Sequence, residues 1–258
     1  RFLLKVASHL KKRGIHNITV WYDQLARHMN ILNEDFVRRV EEADLKDNLI
    51  LNWWYYGFEI PETVHPELGL RTFVSPMAGY FFWMNYVSYL SNIYSMLKLG
   101  GRDGSEGCEA YCVFDPAFDR NYHAVAEYSW NQHHKMKMED FKELYEKIVF
   151  GSSAEKVRDA MEAFDNVVDP GDAGMLGRFF NPNLAYYLYT YVQANMDYPR
   201  DYPGEAFTKL YMDIEGSKNK MCSILSEIRK AREGFQSLSP EETNSPRLLE
   251  EYIVECLR

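Results

Sequence analysis

Four short runs of β-branched and aromatic residues recur along the first half of the chain. They fall at residues 15–23, 48–56, 71–76 and 107–115. Helical spacing of apolar residues follows at 34–42, 83–99 and 124–130. Strands separated by helices cannot be joined by tight hairpins, so each must cross over and run parallel to the last. Four βα units at this rhythm predict a parallel sheet or barrel.

The second half reads differently. From Glu139 onward, apolar residues recur at three and four spacing through 141–150, 154–168, 184–196, 207–214, 221–235 and 248–257. Breaks fall at Gly151, Asp169-Pro170-Gly171, the stretch 198–204 and Ser239-Pro240. This predicts an all-helical domain over 136–258 behind an α/β portion over 1–135. Tyr186, Tyr187, Tyr189 and Tyr191 surround one helix, which predicts burial between layers or against the first domain. The chain opens inside an amphipathic helix over 1–13, with no initiator Met, cap or signal peptide. Either a fragment or a longer N-terminal part is expected.

Composition narrows the partners. A net charge of -9, with no Lys/Arg cluster, lacks the footprint of a phosphate-backbone binder, so no nucleic acid is expected. The most apolar stretch, 78–90, is broken by Asn85 and Ser88, so no membrane span is expected. Cys108 and Cys112, read as one strand, would lie about 13 Å apart, too far to bridge. Four buried thiols are expected, with no disulfide and no zinc site. No metal and no cofactor are expected. The seven His are scattered, none at a strand end, and neither a phosphate-binding Gly loop nor a Ser nucleophile elbow is present.

Ligands of parallel α/β folds meet the C-terminal strand ends. Those ends read Trp21-Tyr22-Asp23, Trp53-Trp54-Tyr55-Tyr56, Ser75-Pro76-Met77-Ala78-Gly79-Tyr80 and Phe114-Asp115. In a chain that is 15% aromatic, such rings can be plain core. Concentrated at one end beside carboxylates, they suit sugar rings, whose C–H faces stack on indoles while acids accept hydroxyl protons. The candidate substrate-binding residues are Trp21, Asp23, Trp54, Tyr56, Tyr80 and Asp115. Asp23 and Asp115 are the candidate carboxyl pair for glycoside hydrolysis. If these are the last four barrel strands, the third is strand seven. Its lack of a carboxylate speaks against a protein nucleophile there. Glu127 either faces the cleft or, as favoured, caps the last helix. Asn17-Ile18-Thr19 matches a glycosylation sequon in a strand, which is a poor acceptor site.

The order of Val20-Trp21-Tyr22-Asp23, Leu51-Asn52-Trp53-Trp54-Tyr55-Tyr56, Val74-Ser75-Pro76-Met77-Ala78-Gly79 and Ala126-Glu127-Tyr128-Ser129-Trp130-Asn131 resembles the family 20 glycoside hydrolases, the β-N-acetylhexosaminidases. The stretch Tyr145-Glu146-Lys147-Ile148-Val149-Phe150-Gly151 is similar to the domain trailing the barrel in several of them, and the likeness spans roughly 15–164. The resemblance implies the C-terminal half of a TIM-type (β/α)8 barrel followed by a helical domain. It also implies an Asp-Glu acid pair upstream, on a barrel half in the same chain or a partner. The substrate's acetamido oxygen would act as nucleophile, and the protein would be secreted or periplasmic. The present chain would supply the sugar-binding wall: Trp21 and Trp54 as stacking faces, Tyr80 as hydroxyl donor and Asp115 as acceptor. Where the family's last strand ends in a Trp-x-Glu pattern, this chain reads Val113-Phe114-Asp115. The other expectation is a non-catalytic carbohydrate-binding protein on the same scaffold.

Overall fold

The computed structural model describes residues 1–22, 25–26, 30–55, 60–79, 88–112, 115–130, 136–166 and 214–257. In the first part of the chain the elements are α1 (Phe2–Lys12), β1 (Ile18–Trp21), α2 (Glu34–Glu42), β2 (Leu49–Trp54), β3 (Arg71–Ser75), α3 (Leu90–Arg102), β4 (Gly107–Cys108) and α4 (Asp119–Trp130). The strands form one parallel sheet in the order β1-β2-β3-β4, which is sequence order without reversal. The mixed α/β class expected from the strand–helix rhythm is therefore observed. Two compact units emerge: Arg1–Ala78, Tyr89–Cys112 and Asn121–Met138 make one, and Gly79–Ser88, Val113–Arg120 and Glu139–Arg258 the other.

Local chemistry sets the elements of the first unit. Gly14, at φ +82°, takes the left-handed conformation that lets the chain turn out of α1. Asn33 caps α2, its side chain accepting from the Phe36 amide at 3.1 Å, while Glu34 and Asp35 complement the helix dipole. In β2 the residues Leu49 to Trp53 are all buried, as befits a central strand.

Register separates two sheet faces. Val20, Leu51 and Thr72 align on one, followed by Trp53, Val74 and Cys108; Trp21, Asn52, Phe73 and Gly107 align on the other. Helix α3 covers the Val74 face so closely that a Cβ on Gly100 would meet Val74 Cγ2 at 2.7 Å. At the N-terminal end, one guanidinium joins all four strands. Arg71 opens β3, donates to Asn17 Oδ1 at 2.9 Å ahead of β1 and to the Asp47 carbonyl at 2.7 Å ahead of β2, and forks onto Glu106 ahead of β4. Asn17, the sequon residue, is thus held in a structural bond.

The fourth strand is shorter than the expected 107–115, and Pro76 explains why. Glu109 donates its amide to the Val74 carbonyl at 3.0 Å, so the next ladder bond should run from residue 76 to the Glu109 carbonyl. Proline has no N–H to give. The Ser75 hydroxyl donates to that carbonyl instead, and pairing resumes only as an isolated Met77–Tyr111 bridge. The reading of Cys108 and Cys112 on one strand face fails with it. Cys112 and Cys222 are exposed, so the expectation of four buried thiols is corrected; Cys108 is half-buried and Cys256 buried.

In the second unit, α5 (Met138–Phe150), α6 (Ala154–Asn166), α7 (Ile214–Gln236) and α8 (Pro246–Glu255) follow, and among the described residues beyond Glu139 no strand occurs. The segments expected as helices at 184–196 and most of 207–214, with the Tyr cluster, lie outside the described residues. The rings of Phe150, Phe164, Phe235 and Tyr252 pack with centroids 5.4–6.4 Å apart. A hydrogen-bond relay runs through this core. Tyr145 donates to Asp119 Oδ2 at 2.9 Å, so its hydroxyl oxygen accepts from Tyr252 at 2.7 Å. Arg120, fully buried, pairs with Asp165, which also meets Lys142 at 3.2 Å. Thr243, Asn244 and Ser245 satisfy the last carbonyls of α5 at Ile148 and Val149. Helices α6 and α7 touch at Gly234, where a Cβ would lie 2.5 Å from Ala160 Cβ.

No helix among the described residues is long and apolar enough to cross a membrane. None of the described His, Cys, Asp and Glu side chains gather in groups of three or more able to hold a metal ion.

Two predictions follow from this packing. Gly234→Ala gains helix propensity of about 1 kcal/mol but drives a methyl into Ala160. A net loss of about 1–3 kcal/mol in urea unfolding is expected, whereas Gly234→Ala with Ala160→Gly recovers most of it. The second concerns acid. Arg71 holds the Glu106 carboxyl below its usual range, and Arg102 with the Val64 amide holds Asp103 down to about 2. Depressed carboxyls stabilise the fold above their ordinary pKa and lose that contribution as pH falls through the folded value. The melting temperature should therefore drop between about pH 4 and pH 2, and Asp103→Asn should flatten that slope.

Candidate functional site

Side chains alternate along a strand, so the two adjacent Trp residues of β2 have opposite fates. Trp53 is buried, stacked on Tyr22 at 4.1 Å and tilted against His65 at 5.5 Å. It belongs to the core. Trp54 lies on the other face and meets Trp21 edge-on, with centroids 6.1 Å apart and planes at 90°. Trp21 is 43% exposed, a large apolar surface left to solvent at the C-terminal end of β1.

Between the two Trp residues sits Asn52, the register partner of Trp21 and two residues before Trp54. It is fully buried in a strand otherwise built from Leu, Ile and Trp. Its Nδ2 donates to Glu109 Oε2 at 2.9 Å. A carboxylate only accepts, so the amide orientation is fixed and Oδ1 is left as a buried acceptor with no hydrogen-bond partner. Leaving such a group unsatisfied costs about 1–3 kcal/mol. Glu109 itself is exposed, and among the described residues its side chain hydrogen-bonds with Asn52 alone. The Trp21, Asn52, Trp54 and Glu109 group therefore joins an aromatic edge to a held carboxylate. Next to it, burial pushes the Cys108 thiol up to about 12, and the Glu109 charge adds to the effect.

Two buried amides hold the loops around this end. Asn92 of α3 accepts from the Met77 amide at 2.9 Å and donates to the Tyr55 carbonyl at 2.8 Å, tying the ends of β2 and β3 together. Asn121 of α4 donates to the Ala78 carbonyl at 3.1 Å.

Of the residues expected from sequence, Trp21 and Trp54 are brought together. Asp23, Tyr56 and Tyr80 lie outside the described residues. Asp115 belongs to the second unit, where its side chain accepts from the Ala117 amide at 3.0 Å and caps the turn Pro116–Phe118. Glu109, Asn52 and Asn92 were not anticipated. A signal for Glu109 was present, because two-residue alternation from Gly107 puts it on the Trp21 face; a lone Asn inside an apolar strand marked Asn52. Asn92 carried no signal, as its value depends on loops far away in sequence.

Neither a scan against protein-family models nor searches of curated proteins and of solved structures gave a match to this chain.

Asn92→Ala removes the partners of two buried backbone groups. A loss of about 3 kcal/mol is expected, read by urea unfolding, together with faster hydrogen exchange at the Met77 amide.

Proposed function

We propose that the Trp21–Trp54 face is the sugar-binding wall of a (β/α)8-barrel glycoside hydrolase similar to the family 20 β-N-acetylhexosaminidases. The observation that carries the reading is the exposed Trp21, set edge-on to Trp54 beside the Asn52–Glu109 pair at the C-terminal ends of parallel strands. Indole faces stack on the C–H faces of a pyranose, and a carboxylate accepts its hydroxyls. The sequential order of the strands supports the barrel, because a doubly wound sheet reverses its order at the ligand crevice. Closure of such a barrel needs further strands on the outer edges of β1 and β4, supplied by a longer form of the chain or by a partner. The acid pair is assigned to those strands, and export to the cell exterior or periplasm fits the same class.

A second reading, a carbohydrate-binding protein without hydrolysis, is favoured by the carboxylate count. Glycoside hydrolysis uses two carboxyl groups about 5–9.5 Å apart, and Glu109 alone serves this face among its described residues.

Titration with chito-oligosaccharides while following Trp fluorescence tests both. Saturable quenching is expected, weakened about tenfold or more by Trp54→Ala, in line with loss of one stacking platform. Release of 4-nitrophenol from the N-acetyl-β-glucosaminide by the longest natural form of the protein assigns the hydrolase. Binding without release assigns the binder, and absence of both overturns the carbohydrate reading.

A further inference from the structure

We infer that Glu109, oriented by Asn52, makes this face select neutral or amino sugars and reject uronic acids and sulfated sugars; the inference rests on the carbohydrate reading above. Glu109 is an exposed carboxylate whose side-chain partner, among the described residues, is a neutral amide. Among the described residues no Lys, Arg or His forms an ion pair with it. Among the described strand residues of this sheet face the cation is Arg71, which stands at the opposite end of β3 and is bound bidentately to Glu106. Among the described residues, therefore, no cation compensates the carboxylate on the Trp54 face of the sheet. A sugar stacked there meets an acceptor that welcomes hydroxyl or ammonium protons and repels a second carboxylate or a sulfate.

Asn52 makes this a built feature. A buried Leu at that position would complete the apolar run of β2, yet the strand carries an amide whose one hydrogen bond reaches Glu109. Asn52 is thus a positioning residue. It fixes one carboxylate oxygen and leaves the other with no hydrogen-bond partner among the described residues.

The probes are three tetrasaccharides of similar length: cellotetraose (neutral), a chitosan tetramer (cationic) and tetragalacturonate (anionic), each titrated at low salt by Trp fluorescence. The neutral and cationic sugars are expected to bind the wild-type protein at least about tenfold more tightly than the anionic one, the size of a like-charge contact at short range. Glu109→Gln, which keeps the shape and the bond from Asn52, should shrink that ratio to about twofold by removing the charge. Asn52→Leu should shrink it too, while the Trp fluorescence of the free protein stays native. Should a variant fail to fold, the wild type supplies an independent readout. Raising the salt to about 1 M screens the repulsion and should strengthen tetragalacturonate binding while leaving cellotetraose unchanged. Equal affinity for the neutral and anionic sugars, insensitive to salt, overturns the selectivity while the carbohydrate reading stands. Failure of all three to bind overturns the carbohydrate reading, and the selectivity falls with it.

Discussion

The sheet depends on Arg71. Three segments that precede strands converge on its guanidinium, through Asn17, the Asp47 carbonyl and Glu106, and the fourth strand begins at the residue itself. No other side chain among the described residues of the first unit spans so many strands. Arg suits the position because its planar fork offers five donors in fixed directions, which a lysine cannot match. Glu106 holds the guanidinium charge more firmly than usual, and the pairing is reciprocal. With the strand starts fixed in this way, register propagates along the parallel ladder and determines which side chains emerge at the far end.

At that far end order is kept by buried amides. Asn92 and Asn121 take the place of the regular ladder where strands give way to loops, and each meets a backbone group that would otherwise be orphaned. Asn52 works in the same idiom, though its partner is a side chain. The sheet is thus clamped by a guanidinium at one end and by side-chain amides at the other. Ser75 belongs to this set, since its hydroxyl supplies the donor that Pro76 lacks and keeps the Glu109 backbone beside β3.

Much of the architecture was legible in the chain itself. The strand–helix rhythm yielded the parallel sheet, and α2 falls on 34–42 because Asn33, Glu34 and Asp35 are strong local start signals. Local signals failed where the partner was distant. The run 107–115 reads as one strand, but the proline that ends its pairing lies on the neighbouring strand. At Asp115 a turn and a strand end look alike in one dimension; the structure shows its carboxylate accepting from the Ala117 amide in the Pro116–Phe118 turn. Trp21 and Trp54 fall on one sheet face because two-residue alternation is written locally, and the structure brings their rings together. Glu109 was missed because a carboxylate gains significance only from the amide it meets, 57 residues earlier.

Placing the charged clamp and the Trp face at opposite ends of short strands has an evolutionary consequence. Substitutions at Trp21, Trp54 or Glu109 touch none of the Arg71 contacts, so a lineage can vary these positions in single steps without loosening the clamp. The reverse does not apply. Drift at Asn17, Arg71 or Glu106 unsettles every strand together, and such positions should diverge slowly and in concert.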